Sequence, residues 1–255
     1  MCIRDRPDTG SVMLGGEPLQ AKHIREIGYM PEERGLNKKM KVGQHLLYLA
    51  QLKGMSLHEA KEQSRYWFEK FEIVDWWEKK IEELSKGMQQ KIQFIATVMH
   101  RPKLLILDEP FSGLDPINTR LIKNEIDELH HNGTSIIFST HRMEQVEEVC
   151  EHIVLINQGK NVLEGTVVDV KNQFKENIFE VNFDGSLPDN LENFGKIVLQ
   201  KGNKVRVQLL NTDSNAFLKH LLEEGVVIHS FNEILPSLNE IFIKQVNEQP
   251  HLSET

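Results

Sequence analysis

Two short aliphatic runs separated by a helical stretch constrain the fold of this chain more than any other feature. Leu104–Leu107 is a continuous aliphatic run, and Ser135–Phe138 is a second apolar run. Between them, residues from about Asn118 to His130 show a helical pattern. Uninterrupted apolar strands that alternate with a helix are typical of a parallel sheet covered on both faces. The sequence therefore predicts an α/β core.

A hairpin, a strand and a helical block precede this core. Ser11–Leu14 and Glu17–Leu19 predict a hairpin around a two-glycine turn, and Ile27–Met30 predicts a strand. From Val42 to about Ile92 the apolar spacing is helical, and Ser56–Glu59 has the form of a capping box. All three tryptophans fall in this block, where they favour core packing, with a partner-docking surface as the alternative.

The sequence pattern changes beyond about Val170, where short predicted strands alternate with turns. Strands are predicted over Phe179–Phe183, Lys196–Gln200, Val205–Leu209 and Val226–Phe231, and helices over Asn215–Glu224 and Ser237–Val246. This pattern predicts a separate small α+β domain. We therefore expect a first domain over residues 1–168, with a helical subdomain at about 40–92, a second over 169–248, and a tail over 249–255.

Composition narrows the class of protein. With 255 residues and 39% hydrophobic content, the chain can bury the core of one ordinary domain and a smaller companion. A net charge of -8 argues against nucleic acid as a partner. The two cysteines are too few for a disulfide framework, which favours a reducing cytosol. No apolar run approaches the roughly 18 residues needed to span a bilayer, so we expect any membrane role to come through a partner.

Two acids follow the first aliphatic run, at the end of a buried strand where open α/β sheets place their ligands. In the functional interpretation, Asp108 holds Mg²⁺, usually through water, and Glu109 polarises an attacking water. The alternative is a strand that simply ends in acids. His141 follows the next strand and would lie at the same edge, where it can donate to a γ-phosphate oxygen, although a lone histidine there is more often structural.

Ser85 and Gly87 precede a strong helical pattern over Ile92–His100. At a helix N-terminus such residues present a hydroxyl and free backbone N–H groups to an anion, and the helix dipole favours that charge. The alternative is an ordinary N-cap serine.

Together and in this order, these stretches resemble the ATP-binding subunits of ABC transporters. The family's signature L-S-G-G-Q-x-Q-R corresponds to Leu84–Lys91, its Walker B motif to Leu104–Glu109, its D-loop to Ser112–Asp115 and its switch histidine to His141. The resemblance spans Pro7 to about Gly165. It implies a P-loop NTPase-like α/β nucleotide-binding domain with a parallel sheet core, an antiparallel β piece and a helical subdomain.

The resemblance also implies ATP and Mg²⁺ as cofactors and assigns the site residues. The implied catalytic residues are Glu109, His141 and Glu32, the metal ligand is Asp108, and the cofactor-binding residues are Ser85, Lys86, Gly87, Gln90 and Asp115. In the family two subunits sandwich ATP, so Ser85 and Gly87 would serve a nucleotide held mainly by the opposite subunit. Asp115 would link the two sites.

Three positions depart from the family's usual residues. Lys86 replaces a glycine and adds a positive charge near phosphate, whereas Met88 replaces a glutamine and removes a hydrogen-bonding group. Glu32 stands where the Q-loop glutamine is usual. A carboxylate there accepts from water or meets Mg²⁺ but cannot donate, so Glu32 ranks below Glu109.

Two segments point to a branch of the family. Pro31–Leu36 looks like the exporter branch that includes sodium-extruding and multidrug-type subunits, and Pro236–Phe242 is similar to the small C-terminal domain attached to many of them. Sugar importers carry a related acidic Q-loop and are the alternative within the family. They usually have two fused nucleotide-binding halves, whereas this chain has one.

The 255 residues contain no phosphate-binding loop of the form G-x-x-x-x-G-K-S/T. Because Pro7–Val12 resembles the family segment that follows the P-loop helix, we expect a strand, the loop and a helix upstream, and interpret Met1–Arg6 as a foreign start. On this expectation, the chain alone lacks the main phosphate cradle, lacks a first strand and is catalytically impaired.

The sequence leaves three hypotheses about function. The first is the ATP-hydrolysing subunit of an ABC exporter, which pairs with a second nucleotide-binding subunit and an integral membrane permease at the inner face of the cell membrane. The second is a non-catalytic half that lends its signature to a partner's ATP. The third is a soluble ABC-type ATPase acting on ribosomes or DNA, which the acidic pI of about 5.8 weakens.

Overall fold

The computed structural model describes residues 9–33, 35–211 and 213–248. The expected foreign start Met1–Arg6 and the expected tail Gln249–Thr255 lie outside these residues. The chain forms two compact units, Met1–His141 and Arg142–Thr255. The predicted boundary at 168/169 stays a prediction.

The first unit begins with the predicted hairpin. Strands β1 (Met13–Leu14) and β2 (Glu17–Pro18) pair antiparallel. Gly15 and Gly16 have φ angles of +59° and +82°, which glycine alone adopts without a steric penalty and which a two-residue type I′ turn requires at both positions. The hairpin prediction is confirmed because the turn chemistry is local.

The core of the first unit is a three-stranded parallel sheet of β3 (Ile27–Met30), β4 (Leu104–Asp108) and β5 (Ser135–Ser139), with β4 in the middle. Helix α4 (Pro116–His131) connects β4 to β5, which confirms the strand, helix, strand prediction. Burial on both faces holds for β4. It does not hold for β5, the edge strand of this sheet among the described residues, because the face that carries Ile137 is not fully covered and Ile137 is 47% exposed.

The helical block contains α1 (Val42–Leu52), α2 (Leu57–Lys70) and α3 (Lys86–Val98). The capping box is present, since Glu59 N–H donates to Ser56 Oγ and Ser56 N–H donates to Glu59 Oε2. Core packing is confirmed for Trp67, which is 5% exposed, whereas Trp76 and Trp77 are only partly buried. The ring of Trp77 lies so close to Gly43 that a Cβ there would be 2.3 Å from it.

The second unit combines a hairpin with a small α+β domain. Helix α5 (Met143–Val149) is followed by the antiparallel strands β6 (His152–Asn157) and β7 (Lys160–Thr166), and then by α6 (Val167–Gln173). The domain contains β8 (Ile178–Asp184), β9 (Gly195–Lys201), β10 (Lys204–Leu209), α7 (Ser214–Glu223), β11 (Val227–Ile234) and α8 (Leu238–Glu248). Its antiparallel sheet has the order β11-β8-β10-β9. The predicted α+β character is confirmed.

The core of this α+β domain lies between the sheet and α7. Alternate residues of β8 and β10 are buried against Phe217 and Leu221 of α7, both 0% exposed. This period of two explains why the sequence pattern identified the strands. None of the helices that the structure describes is long and apolar enough to cross a membrane.

Candidate functional site

Asp108 is the last residue of β4 and lies opposite Ser139, the last residue of β5, in the parallel register. Ser139 Oγ donates to Asp108 Oδ1 at 2.5 Å. Asp108 is partly exposed, so its carboxylate lies at the surface of the sheet edge with one oxygen already oriented by a hydroxyl.

Glu109 turns the chain sharply at the end of β4. Its φ angle is +47°, a left-handed conformation that costs a non-glycine residue about 1–2 kcal/mol. Neighbouring backbone groups hold it there: Glu109 N–H donates to Ser139 O at 2.9 Å, and Ser112 N–H donates to Glu109 O at 3.1 Å. The residue is 8% exposed. The strained turn therefore places a largely buried carboxylate beside the end of β5.

Both oxygens of the Glu109 carboxylate accept hydrogen bonds from the two residues that follow β5. Oε1 accepts from His141 N–H at 2.8 Å and lies 2.6 Å from His141 Nδ1, and Oε2 accepts from Thr140 Oγ1 at 3.1 Å. An ionised carboxylate can only accept, so Nδ1 carries the proton in this contact. The His141 side chain is 79% exposed. The arrangement can orient a base while presenting an imidazole to solvent.

Ser139 and Thr140 hold the two acids, a role that the sequence pattern did not assign to them. The Ser139 hydroxyl binds Asp108, and the Thr140 hydroxyl binds Glu109. The available signal was their position directly after an apolar strand that neighbours β4. Parallel strands end at the same edge of a sheet, so polar residues at one strand end are placed to meet those at the next.

The predicted signature lies at the N-terminus of the 13-residue helix α3. Ser85 is the N-cap residue, and its Oγ accepts from Met88 N–H at 3.3 Å. Ser85 and Lys86 are exposed. A Cβ on Gly87 would lie 3.4 Å from Gly113 O, so the signature is adjacent to the predicted D-loop. The start of α3 thus offers an exposed hydroxyl and an ammonium group near N–H groups that suit an anion.

Gln90 has a different environment from the other predicted cofactor-binding residues. It is 1% exposed, and its Nε2 donates to Pro110 O at 2.9 Å. The side chain connects α3 to the turn after Glu109. Its contact with the cofactor stays a prediction. In the structure, Gln90 donates to a backbone carbonyl of the chain itself.

Asp115 is the N-cap residue of α4. Its Oδ1 accepts from Asn118 N–H at 2.9 Å, and its Oδ2 accepts from Asn118 Nδ2 at 2.5 Å. These bonds from Asn118 hold the pKa of the exposed carboxyl below its usual value. Asp115 therefore stays ionised beside the predicted signature loop.

Glu32 lies in the exposed loop after β3. The neighbouring Pro31 is anchored to α3, because Gln93 Nε2 donates to Pro31 O at 2.7 Å. The topology thus brings Glu32, Asp108, Glu109 and His141 to the carboxyl-terminal edge of one parallel sheet. Hydrogen bonds join Glu109 to His141 directly.

Asp108 fits a magnesium ligand. Mg²⁺ is usually bound by one or two carboxylates, with water and phosphate oxygens completing the shell, so no cage of protein ligands is needed. Among the residues that the structure describes, no group of three or more acidic, histidine or cysteine residues could hold a metal. The single, partly exposed carboxylate of Asp108 at the sheet edge is enough for a site of the kind that Mg²⁺ prefers.

Comparison with known proteins gives two family matches. Residues 1–112 match the model described as ABC transporter, and residues 165–246 match the model described as ATP-binding protein DrrA1-3-like, C-terminal domain.

Two ATP-binding proteins of Bacillus subtilis are similar in sequence to more than half of this chain. An uncharacterized ABC transporter ATP-binding protein of Bacillus subtilis is 44% identical over 238 residues, 93% of this chain and 80% of that protein. The linearmycin resistance ATP-binding protein LnrL of the same organism is 32% identical over 166 residues, 64% of this chain and 53% of that protein. A solved structure of the ATP-binding subunit of an ABC transporter has a TM-score of 0.61 and 28% identity, and the match covers 66% of this chain and 71% of that one. The chain belongs to the ABC transporter ATP-binding proteins.

Proposed function

We propose that this chain is the ATP-hydrolysing subunit of an ABC exporter and powers a separate membrane permease. The observation that carries the proposal is the contact of Glu109 with both the ring and the backbone N–H of His141. This pair supplies a carboxylate and an imidazole at the edge of the sheet where nucleotides bind in open α/β folds.

Glu109 is the residue suited to polarise the attacking water. Glu109 is 8% exposed, and its carboxylate is oriented by three hydrogen bonds from Thr140 and His141, so it needs little reorganisation when it accepts a proton. The exposed His141 ring is suited to donate to a phosphate oxygen as charge develops when both of its ring nitrogens carry a proton. Asp108 would hold Mg²⁺, which neutralises phosphate charge when bound.

The residues at the start of α3 are suited to a nucleotide held by a second subunit. Ser85 and Lys86 are exposed, and Gly87 lies beside Gly113 without a side chain to obstruct an approaching phosphate. Asp115 remains charged nearby. These features support a dimer in which each signature closes the opposite site.

Two observations support export. The stretch Pro31–Leu36 resembles the exporter branch, and a relative that is 32% identical is a linearmycin resistance ATP-binding protein. Drug resistance is consistent with outward transport. The cargo is chosen in the permease.

The proposal also limits what these 255 residues can do without other protein segments. The 255 residues contain no G-x-x-x-x-G-K-S/T loop, and such a loop supplies the backbone amides and lysine that hold the phosphates. We therefore expect this chain alone to bind MgATP weakly and to show little turnover.

Expression of this chain together with its upstream reading frame, followed by purification of the membrane complex through a tag, tests the proposal. Glu109→Gln should reduce ATP turnover at least about 100-fold while ATP stays bound, and Glu62→Gln on the exposed face of α2 is the control. If turnover survives Glu109→Gln but is lost in Ser85→Arg, the chain only lends its signature to a partner and the catalytic proposal is wrong. Recovery of RNA in place of a membrane subunit would refute the transport role.

A further inference from the structure

Glu147 of α5 connects three helices of the second unit. Its Oε2 lies 2.6 Å from Lys171 Nζ of α6, and its Oε1 accepts from the backbone N–H of Leu238 at 2.6 Å. Leu238 is the first residue of α8. The two ionic side chains are largely buried, with 25% of Glu147 and 20% of Lys171 exposed.

The bond to Leu238 is favourable for reasons specific to helix termini. The first N–H groups of a helix have no partner within the helix, and the helix dipole favours a negative charge at that end. Ser237 and Glu240 form a capping box at the same terminus, with Glu240 N–H donating to Ser237 Oγ at 3.2 Å and Ser237 N–H donating to Glu240 Oε2 at 2.7 Å. Glu147 thus supplies an acceptor from another helix where α8 begins.

Apolar contacts reinforce this junction. Leu238 and Ile241 of α8 are 3% and 2% exposed, and they form one cluster with Val170 of α6. Met143 and Val146 of α5 pack against the same cluster. The segment Pro236–Phe242, which the sequence comparison with the exporter branch singled out, therefore contains the residues that hold α8 against α5.

Helix α5 begins close to His141 along the chain. Met143, the first residue of α5, is two residues after His141, whose own N–H donates to Glu109 Oε1 at 2.8 Å. Arg142 alone therefore separates His141 from the first residue of α5.

We propose that Glu147 is a positioning residue that locks α8 onto α5 and thereby restrains the segment that carries His141. The last helix of the C-terminal domain then stabilises the path of the switch segment, which gives that domain a defined role. An effect of this restraint on ATP hydrolysis rests on the proposed function of His141. The restraint itself does not depend on that function.

Amide hydrogen exchange of the 255-residue chain, resolved by NMR, tests the proposal without any need for activity. In Glu147→Ala, exchange at Leu238 and at His141 should rise about tenfold or more, because both amides lose protection when the lock is removed. The amides of Ile137 in β5 and of α7 serve as references and should change less than about twofold. Glu144→Ala, an exposed acid on the same helix, is the matched control.

Glu147→Gln distinguishes positioning from loss of folding. It keeps an acceptor for Leu238 N–H but loses the charge, so its exchange should lie between those of wild type and Glu147→Ala. If α7 also loses protection in Glu147→Ala, that variant has partly unfolded. The exchange rates of Leu238 and His141 relative to α7 in Glu147→Gln then test the proposal. Unchanged exchange at Leu238 would overturn the lock, and a rise at Leu238 without one at His141 would overturn the restraint. Failure of the proposed function would appear separately, in the ATPase assay of Glu109→Gln.

Discussion

Nδ1 of His141 lies 2.6 Å from Oε1 of Glu109, and the backbone N–H of His141 donates to the same oxygen at 2.8 Å. One carboxylate oxygen therefore binds both the ring and the main chain of one residue. This double contact fixes the orientation of the imidazole relative to the proposed base. Thr140 orients the second oxygen, so both residues that directly follow β5 help to orient the Glu109 carboxylate.

Removing the hydroxyl of Thr140 should slow hydrolysis without weakening nucleotide binding. Thr140→Val keeps the shape of the side chain but leaves Glu109 Oε2 without the donor that lies 3.1 Å away. We expect kcat of the purified complex to fall about five- to tenfold with KM unchanged, since the loss of one such bond is worth about 1 kcal/mol. Thr140→Ser should restore most of the rate. A rise in KM with kcat preserved would contradict the assignment.

The contact between Ser139 and Asp108 should appear in the metal dependence. Ser139→Ala removes the donor to Asp108 Oδ1 at 2.5 Å, so the carboxylate becomes less ordered and its complex with Mg²⁺ weaker. The Mg²⁺ concentration for half-maximal ATPase activity should rise about tenfold. Ser135→Ala, at the opposite end of the same strand, should leave the Mg²⁺ titration unchanged. Equal titration curves for both variants would show that Ser139 does not orient the ligand.

Gln90 should stabilise the first unit through Pro110. Gln90→Leu removes the buried donor to Pro110 O at 2.9 Å, and an unsatisfied buried carbonyl costs about 1–3 kcal/mol. All three tryptophans lie in the first unit, so urea unfolding followed by tryptophan fluorescence reports this unit. The exposed Gln51→Leu in α1 should shift the unfolding free energy by less than about 0.5 kcal/mol. If the two variants are equally stable, the interior contact of Gln90 contributes nothing to folding.

His100 should make the first unit less stable in acid. Burial lowers its pKa from 6.5 to about 4, with the nearby Lys53 acting in the same direction. The unfolded chain therefore binds a proton below about pH 6.5 that the folded chain takes up only near pH 4, so stability falls between these values. At about pH 5 the loss from this residue is about 2 kcal/mol relative to about pH 8.

Substitution of His100 isolates this effect. His100→Gln can keep a donor for Ile27 O, which lies 3.2 Å from Nε2, but it does not titrate. The fall in unfolding free energy between about pH 8 and about pH 5 should be about 2 kcal/mol smaller in this variant than in wild type. The exposed His58→Gln should retain the wild-type slope. A steeper acid dependence in His100→Gln would mean that the sign of the pKa shift is wrong.

Most helices and strands were predictable because their signals are local. The two-glycine turn, the Ser56–Glu59 capping box and the period-two strands of the C-terminal domain depend on neighbouring residues, and each is present. The apolar composition of β5 predicted burial on both faces, which is wrong, since burial of a strand face depends on which elements pack over it.

The sequence by itself determined the element types, the family motifs and the placement of Asp108, Glu109 and His141 at strand ends. Only the tertiary structure decided that Ser139 and Thr140 hold the two carboxylates, that Gln90 binds Pro110, and that Glu147 binds Leu238. The physical reason is distance along the chain. Capping and turns join residues a few positions apart, whereas these bonds join side chains to partners that only the packing of separate strands and helices brings within hydrogen-bonding range.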